Sequence, residues 1–347
     1  MALSAVGSQG YSTGSGSAND FIEKAYVAAF REGFEQAFQQ TESKLQPYFE
    51  QETQNEEYQY FDRIGKAEDM AEDTSRFGTN PNSDINHDRR RIGLKDYELG
   101  KYIDEKDLKR VITDPMNAYT QALLASGKRK IDDIIIDKFF GDAYTGKSGS
   151  TAVSYAVAST AENATGITVG ALSAGDITTG AGYTVASGNK EGFSVGGNYG
   201  TASSGLTLEK LRAARTTMLK LHSIDQDDIV NCFVTAKQID DLLGIDEVVS
   251  SDYAVRKSLV EGTVTTFLGF RFIHCERLPL STGTDGDERR VIVASPKALK
   301  MSVGTGLKGD MWRDPSKKNI PYIYFKLCAD ASRMWGEVAG EIRCNES

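Results

Sequence analysis

The stretch "DPMNAYTQALLASGKRKIDDIIIDKFFG", residues 114 to 141, limits what the rest of this chain can fold around. Asp114 is a good helix N-cap and Pro115 suits the first helical position. Met116, Tyr119, Leu123, Ile131, Ile134, Ile135 and Phe139 then recur at three-four spacing. Such a helix spans roughly 40 Å at 1.5 Å per residue, long for a globular domain. Gly127 is a mild weak point inside it, and Gly141 is expected to stop it as a left-handed C-cap.

The helix stop is also the first residue of a phosphate-binding pattern. Gly141, Gly146, Lys147 and Ser148 in "GDAYTGKSGS" fit G-x-x-x-x-G-K-[ST], in which backbone N–H groups cradle phosphates, Lys reaches the terminal ones and the hydroxyl holds magnesium. That geometry needs a strand before the loop and a helix after it. The residues ahead of Gly141 carry helical periodicity instead, and "SGSTAVSYAVASTAENATG" has no cap followed by a helical stripe. Residues 142 to 206 hold 13 Gly, 11 Ala and 18 Ser or Thr in 65, a background in which the pattern arises by chance. A nucleotidase using these four residues is a distant alternative. The segment alternates small β-formers with Gly, as in "GITVGALSAGDITTGAGYTVASG", which suits short strands in an inserted loop or small β domain, or partial disorder.

Residues 1 to 18 are uncharged and rich in Gly, Ser, Thr and Ala, the composition of a flexible arm. They carry no basic n-region and no long apolar core, and no apolar run in the chain reaches about 18 residues, so neither a secretory signal nor a membrane span is expected. Asp20 and Glu23 then form a variant capping box, followed by Ile22, Tyr26, Phe30, Phe34 and Phe38 at every fourth position. Four residues advance the stripe by about 40° per step, so this helix contacts more than one surface. It reads as a buried helix or as an arm lying over another subunit.

Residues 57 to 110 hold two strand-like runs, "EYQYFDRIG" and "RRIGLKDYELGKYI", around the turn-rich "TSRFGTNPNSDINHD". This reads as an extended, charged hairpin. Its basic patch, Arg89, Arg90 and Arg91, lies among Asp84, Asp88, Asp96, Glu98, Asp104, Glu105 and Asp107, so ion pairing with neighbouring acidic segments is expected in preference to nucleic acid. A net charge of −9 points the same way, since affinity for phosphate backbones comes from clustered Lys and Arg. From Thr207 onward "TLEKLRAARTTMLKLHSI" is an amphipathic helix, "DDIVNCFVT" a buried strand and "AKQIDDLLG" a short helix stopped at Gly244. "GTVTTFLGFRFIHCERLP" reads as two strands about Gly269. "RRVIVASPKALKMSVG" reads as a strand into a short turn, and "YIYFKLCADASRMWGEVAGEIRC" as strands bending at "DAS". The whole is α+β.

Residues suited to catalysis are sparse. Of the three histidines, His274 is adjacent to Cys275 on a strand, where neighbours face opposite sides. The cysteines, Cys232, Cys275, Cys328 and Cys344, contain no C-x-x-C pair and read as free thiols of a reducing compartment. Asp132 and Asp133 are adjacent on a helix and can send at most one carboxylate to a shared site. No catalytic residue, cofactor or metal is expected.

In order and local flavour, "RRRIGLKDYELGKYIDEKDLKR" before the long helix resembles the major capsid proteins of tailed bacteriophages. So do "NCFVTAKQIDDLLG", "SLVEGTVTTFLGFRFIHCERLP" and "RRVIVASPKALKMSVG" after it. The resemblance implies the shell fold shared with the herpesvirus capsid floor: an N-terminal arm (1–56), an extended loop (57–110), a spine helix of the peripheral domain (111–141), a Gly-rich β insertion (142–206), a mainly axial domain (207–305) and C-terminal strands returning to the peripheral domain (306–347). It further implies a virion capsid assembled in the host bacterial cytoplasm from pentamers and hexamers of this chain, enclosing double-stranded DNA without sequence-specific binding. Scaffolding, portal and cement proteins would be its partners. Phe30, Phe34, Phe38, Arg89, Arg90, Arg91, Asp96 and Glu98 are the candidate inter-subunit contacts. A bacterial encapsulating compartment of the same fold is the alternative.

Overall fold

The computed structural model describes residues 39–65, 70, 72, 85, 87–103, 116–156, 167–169, 183–186, 188–200, 204–245, 266–283 and 286–346. Strands β1 (Glu50–Thr53), β2 (Tyr58–Ile64), β3 (His87–Gly93) and β4 (Asp96–Tyr102) precede the long helix α1 (Met116–Phe140). Between α1 and the next helix lie β5 (Ala143–Thr145), β6 (Thr151–Tyr155), β7 (Ile167–Val169), β8 (Tyr183–Val185), β9 (Lys190–Glu191) and β10 (Phe193–Val195). Helix α2 (Leu208–Lys220), β11 (Val230–Val234) and helix α3 (Ala236–Leu243) follow. Strands β12 (Thr266–Phe267), β13 (Phe270–His274), β14 (Leu280–Gly283), β15 (Gly286–Ala294), β16 (Leu299–Asp314), β17 (Ile320–Arg333) and β18 (Ala339–Asn345) complete the chain. The expected cap at Asp114 and Pro115 and the aromatic stripe Phe30, Phe34, Phe38 lie outside the described residues.

Helix α1 buries Ile131, Ile134, Ile135 and Phe139, as the three-four spacing requires. Its stop differs from the expectation. Gly141 is not left-handed; its N–H donates to the Asp137 carbonyl at 2.8 Å, and a Cβ there would stand 2.6 Å from that oxygen. Glycine is needed at this position for close approach and not for a positive φ.

Among the described residues the strands form three sheets, and the helix packs chiefly on the first. The first has the order β1-β16-β17-β4 and is dominated by the long β16–β17 hairpin, whose turn places Lys318 and Asn319 at positive φ. The expected bend at "DAS" does not occur. Asp330, Ala331 and Ser332 continue the ladder opposite Ser302, Met301 and Lys300, and Lys138 pairs with one Asp330 carboxylate oxygen at 3.0 Å, which gives the acidic residue a counter-charge within the strand. Ile323 and Phe325 face α1, meeting Tyr119, Leu123 and Leu307.

The second sheet runs β12-β13-β11-β15-β18-β10-β7-β8, with β14 also on β15. Its centre, Val230 to Val234 and Val291 to Ala294, is buried throughout, the continuous apolar run of a strand covered on both faces. Leu268 and Gly269, at φ 50 and 75, form the tight turn between β12 and β13. This sheet joins segments that the sequence keeps apart. Strands β7, β8 and β10 of the Gly-rich segment extend it through the parallel pair β10–β18, and β18 belongs here and not beside β16 and β17. Fully buried Lys210 of α2 secures the seam, its Nζ donating to the carbonyls of Ser204, Gly205 and Arg343.

The third sheet, β2-β3-β5-β6-β9, contains the expected charged hairpin, β2 paired antiparallel with β3. The run "RRIGLKDYELGKYI" is not one strand. At Leu94 and Lys95 the chain crosses between sheets: the Leu94 N–H donates to Glu57 at 3.0 Å and the Lys95 carbonyl accepts from Ala329 at 3.1 Å. Strand β4 therefore pairs with β17.

Candidate inter-subunit surfaces

Strand alternation divides the arginine triplet. On β3 the side chains of Arg89 and Arg91 turn outward and Arg90 turns in. Arg89 pairs with Asp62 at 3.0 Å in solvent and lies over the Tyr60 ring, while Arg91 sits between the rings of Tyr58 and Tyr144. Arg90 is fully buried and bonded to Glu191 of its own chain, which corrects its expected inter-subunit role. Glu191 is also reached by Arg63 at 3.4 Å and by Arg333 at 3.7 Å. Arg333 in turn donates to the carbonyls of Phe139 and Gly141 at the end of α1 and of Val153 on β6. One carboxylate thus gathers guanidiniums from β2, β3 and β17 at the root of the charged hairpin.

Asp88 completes this cluster with bonds from Arg63 and Thr145. Burial pushes its carboxyl up, but the Thr145 hydroxyl and the Arg63 guanidinium together outweigh burial and hold it at about 2, below the ordinary 3.8. Because the folded value is depressed, the stability Asp88 contributes is present above about 3.8 and is lost as pH falls toward about 2. Urea unfolding of wild type and Asp88→Asn should therefore differ most at about pH 5 and converge near pH 2. A penalty equal at both values would show that Asp88 acts through shape alone.

The outer face of the β16–β17–β4 sheet is the second surface. Trp312, Tyr322 and Tyr102 stand in one cross-strand row, with ring centroids 5.2 Å and 4.2 Å apart, and Tyr324 lies 5.4 Å from Trp312. Gly100 makes room for them: a Cβ there would stand 2.1 Å from the Tyr322 hydroxyl. Lys317 covers Tyr102 at 4.0 Å, and Glu98 accepts from the Tyr324 hydroxyl at 2.9 Å. Glu98 and Asp96 both lie exposed on β4, as contacts would need. Trp312 keeps 43% of its surface in solvent, so these rings form an apolar patch rimmed by charge, the usual mark of an interaction surface. The sequence signal was the period-two spacing of Tyr322 and Tyr324 opposite a tryptophan, visible only once the hairpin register is known.

The acidic pair on α1 serves two partners. Half-buried Asp133 takes a bidentate pair from Arg277 at 2.7 Å. Buried Asp132 accepts from Gln40, the Ser43 hydroxyl and the backbone N–H groups of Lys44 and Leu45, all within 2.5–3.1 Å. It pins the start of the described chain to the helix.

The phosphate-binding pattern is not a phosphate site. Gly141 follows a helix, β5 comes next, and Gly146 to Gly149 form the turn of the β5–β6 hairpin, with the Gly149 N–H donating to Gly146 at 3.0 Å. Among the described residues Lys147 and Ser148 lie in a hairpin turn and precede a strand, not a helix, so the strand-loop-helix that the nucleotidase alternative requires is not formed there. Lys147→Ala is expected to change stability by less than about 0.5 kcal/mol, and calorimetric titration of the wild type with ATP should give no saturable heat. Burial pushes the Cys275 thiol up to about 11 and Cys344 to about 12, so neither supplies a thiolate near neutrality. Among the described residues no group of three or more His, Cys, Asp or Glu is placed to hold a metal ion.

A model of the phage capsid protein family matches residues 22–346 of this chain. Among solved structures, the capsid of cyanophage Pam1 is similar over 92% of this chain and 98% of that one, at 12% identity and a TM-score of 0.61. The mature capsid of bacteriophage PhiM1 matches over 92% of each chain at 11% identity and 0.61. The capsid of cyanophage P-SCSP1u matches over 92% and 94% at 12% and 0.59. No curated relative matches the chain. At these identities the likeness to solved structures is one of fold, and the family match spans nearly the whole sequence. The chain belongs to the phage capsid protein family and is a major capsid protein, a subunit of the shell of a phage head.

Proposed function

We propose that this subunit builds the icosahedral head of a tailed bacteriophage, joining as pentamers and hexamers in the host cytoplasm around double-stranded DNA that it does not read by sequence. Helix α1 with the four-stranded sheet would form the peripheral part, the nine-stranded sheet with α2 and α3 the axial part, and the β2–β3 hairpin the extended loop. Scaffolding, portal and cement proteins would be its further partners. The observation that carries the reading is the outer face of the β16–β17–β4 sheet. Its inner face packs on α1, yet Trp312 and Tyr102 stay largely exposed on the other side, where the rings of Trp312, Tyr322 and Tyr102 stand in one row. A neighbouring copy would supply the missing partner, with exposed Arg89, Asp96 and Glu98 setting register through rim charges. Arg91, Phe30, Phe34 and Phe38 are further candidates for such contacts.

Size-exclusion light scattering with negative-stain microscopy tests this directly. Closed shells, or pentamers and hexamers that convert to them, are expected. A monodisperse monomer or dimer at every salt concentration would defeat it. Nuclease-protected DNA in shells from infected cells separates this reading from the encapsulating compartment, which would hold an enzyme cargo instead.

A further inference from the structure

The buried cluster at the root of the charged hairpin holds more positive than negative charge. Arg63, Arg90 and Arg333 converge on Glu191, and Asp88 is the second carboxylate among them, so three guanidiniums face two carboxylates among the described residues. Arg90 and Arg333 are fully buried and Arg63 nearly so. The adjoining group lends no charge, because Arg290 and Arg343 are already matched by Glu341 and Glu288. The charge of Asp142 also reaches Arg333, but that carboxylate is exposed and accepts from the Ser154 hydroxyl at 2.8 Å. One cationic charge is therefore left over in the interior, where an uncompensated ion is strongly disfavoured.

The same side chains hold donors that nothing takes up. Arg90 Nε and Nη1, Arg63 Nε and Arg333 Nε are buried with no hydrogen-bond partner among the described residues. Asp88 stands 4.0 Å from Arg90 Nη1 and Glu191 stands 3.7 Å from Arg333 Nε, close enough to attract and too far to bond. Burial pushes the Arg90 guanidinium down, and the charges of Arg63 and Arg333 push the same way, so the three cations lie within one another's field. Water can accept from an orphaned N–H but cannot neutralise a charge; an anion does both. A single surplus charge calls for a monovalent ion, and a buried cluster for one small enough to enter without its hydration shell. We propose that the cluster binds one monovalent anion of halide size, chloride in ordinary buffers, held by Arg90 with Arg63 and Arg333 around it. Asp88, the most exposed member at 26%, marks the side by which the ion enters. The site secures the root of the hairpin within one subunit and stands apart from shell formation.

Urea unfolding of unassembled subunits, with chloride replacing gluconate stepwise at fixed ionic strength, tests it. An ion bound by the folded chain alone should raise the folding equilibrium constant several-fold, approaching about tenfold per tenfold rise in chloride once the concentration exceeds Kd. Arg90→Met removes the surplus charge together with the principal donors, so its folding constant should not respond to chloride. Arg89→Met, on the solvent side of the same strand, should respond as wild type does. Bromide soaked into crystals of the subunit should give an anomalous peak beside Arg90, a measurement that decides the matter even if Arg90→Met does not fold. Equal unfolding in chloride and gluconate, a chloride response that survives Arg90→Met, or water alone beside Arg90 in the bromide crystals overturns the proposal.

Discussion

Replacing Glu191 with Gln is expected to destabilise the folded subunit by about 3–5 kcal/mol, the usual cost of removing one partner from a buried ionic group. Arg90 depends on it most, because its remaining carboxylate, Asp88, stands 4.0 Å away. Burial already pushes the Arg90 and Arg333 guanidiniums down, and in each it is chiefly the negative charge of Glu191 that pulls them back up. Arg333 would keep its carbonyl partners, so the loss concentrates on the hairpin root, where Arg63 of β2 and Arg90 of β3 reach Glu191 of β9. Denaturant unfolding of unassembled subunits measures it. Adding Arg90→Met to Glu191→Gln should recover part of the loss, since the stranded charge is then gone. A Glu191→Gln subunit within about 1 kcal/mol of wild type would show that water, and not the carboxylate, holds these arginines.

The parts of the fold that could be read from sequence were those governed by one period or one turn. The three-four spacing from Met116 to Phe139 specified α1, Gly269 marked a turn, and "AKQIDDLLG" with its stop at Gly244 marked α3. What stayed hidden depends on partners far away in the chain. The fate of Arg90 is decided by Glu191, 101 residues on, inside a segment whose Gly and Ser content gives no pairing signal. Strand β18 looks like a continuation of β17 until the ladder with β15 and β10 is seen. Asp132 reads as half of an acidic pair, and only the fold brings Gln40 and Ser43 to it across some 90 residues. The candidate contacts divide along the same line. Arg89, Asp96 and Glu98 lie exposed where alternation on a strand puts them, whereas the Trp312 row needed the register of β16 against β17.

That row leads to the second large effect. Trp312→Asp should leave a folded subunit that forms few or no shells. Within the chain Trp312 touches Tyr322 and Tyr324 edge-on or tilted, contacts worth about 0.5–1.5 kcal/mol each, and nearly half of its surface is already in water. The subunit therefore survives the change, with a modest drop in its denaturation midpoint. Between copies the same change puts a carboxylate, beside Asp310 and Asp314, into a patch that must dry on contact. Aromatic residues of this kind cost about 2 kcal/mol or more per interface when lost, roughly a thirtyfold weaker contact. Every subunit of a closed shell repeats the loss, so the penalty multiplies with each contact that closure requires. Trp312→Phe keeps an apolar ring and should restore assembly substantially. Light scattering and microscopy on the two variants, alongside their unfolding curves, decide the matter. Trp312→Asp shells at wild-type yield would remove the outer face of the sheet from the contacts that close the head.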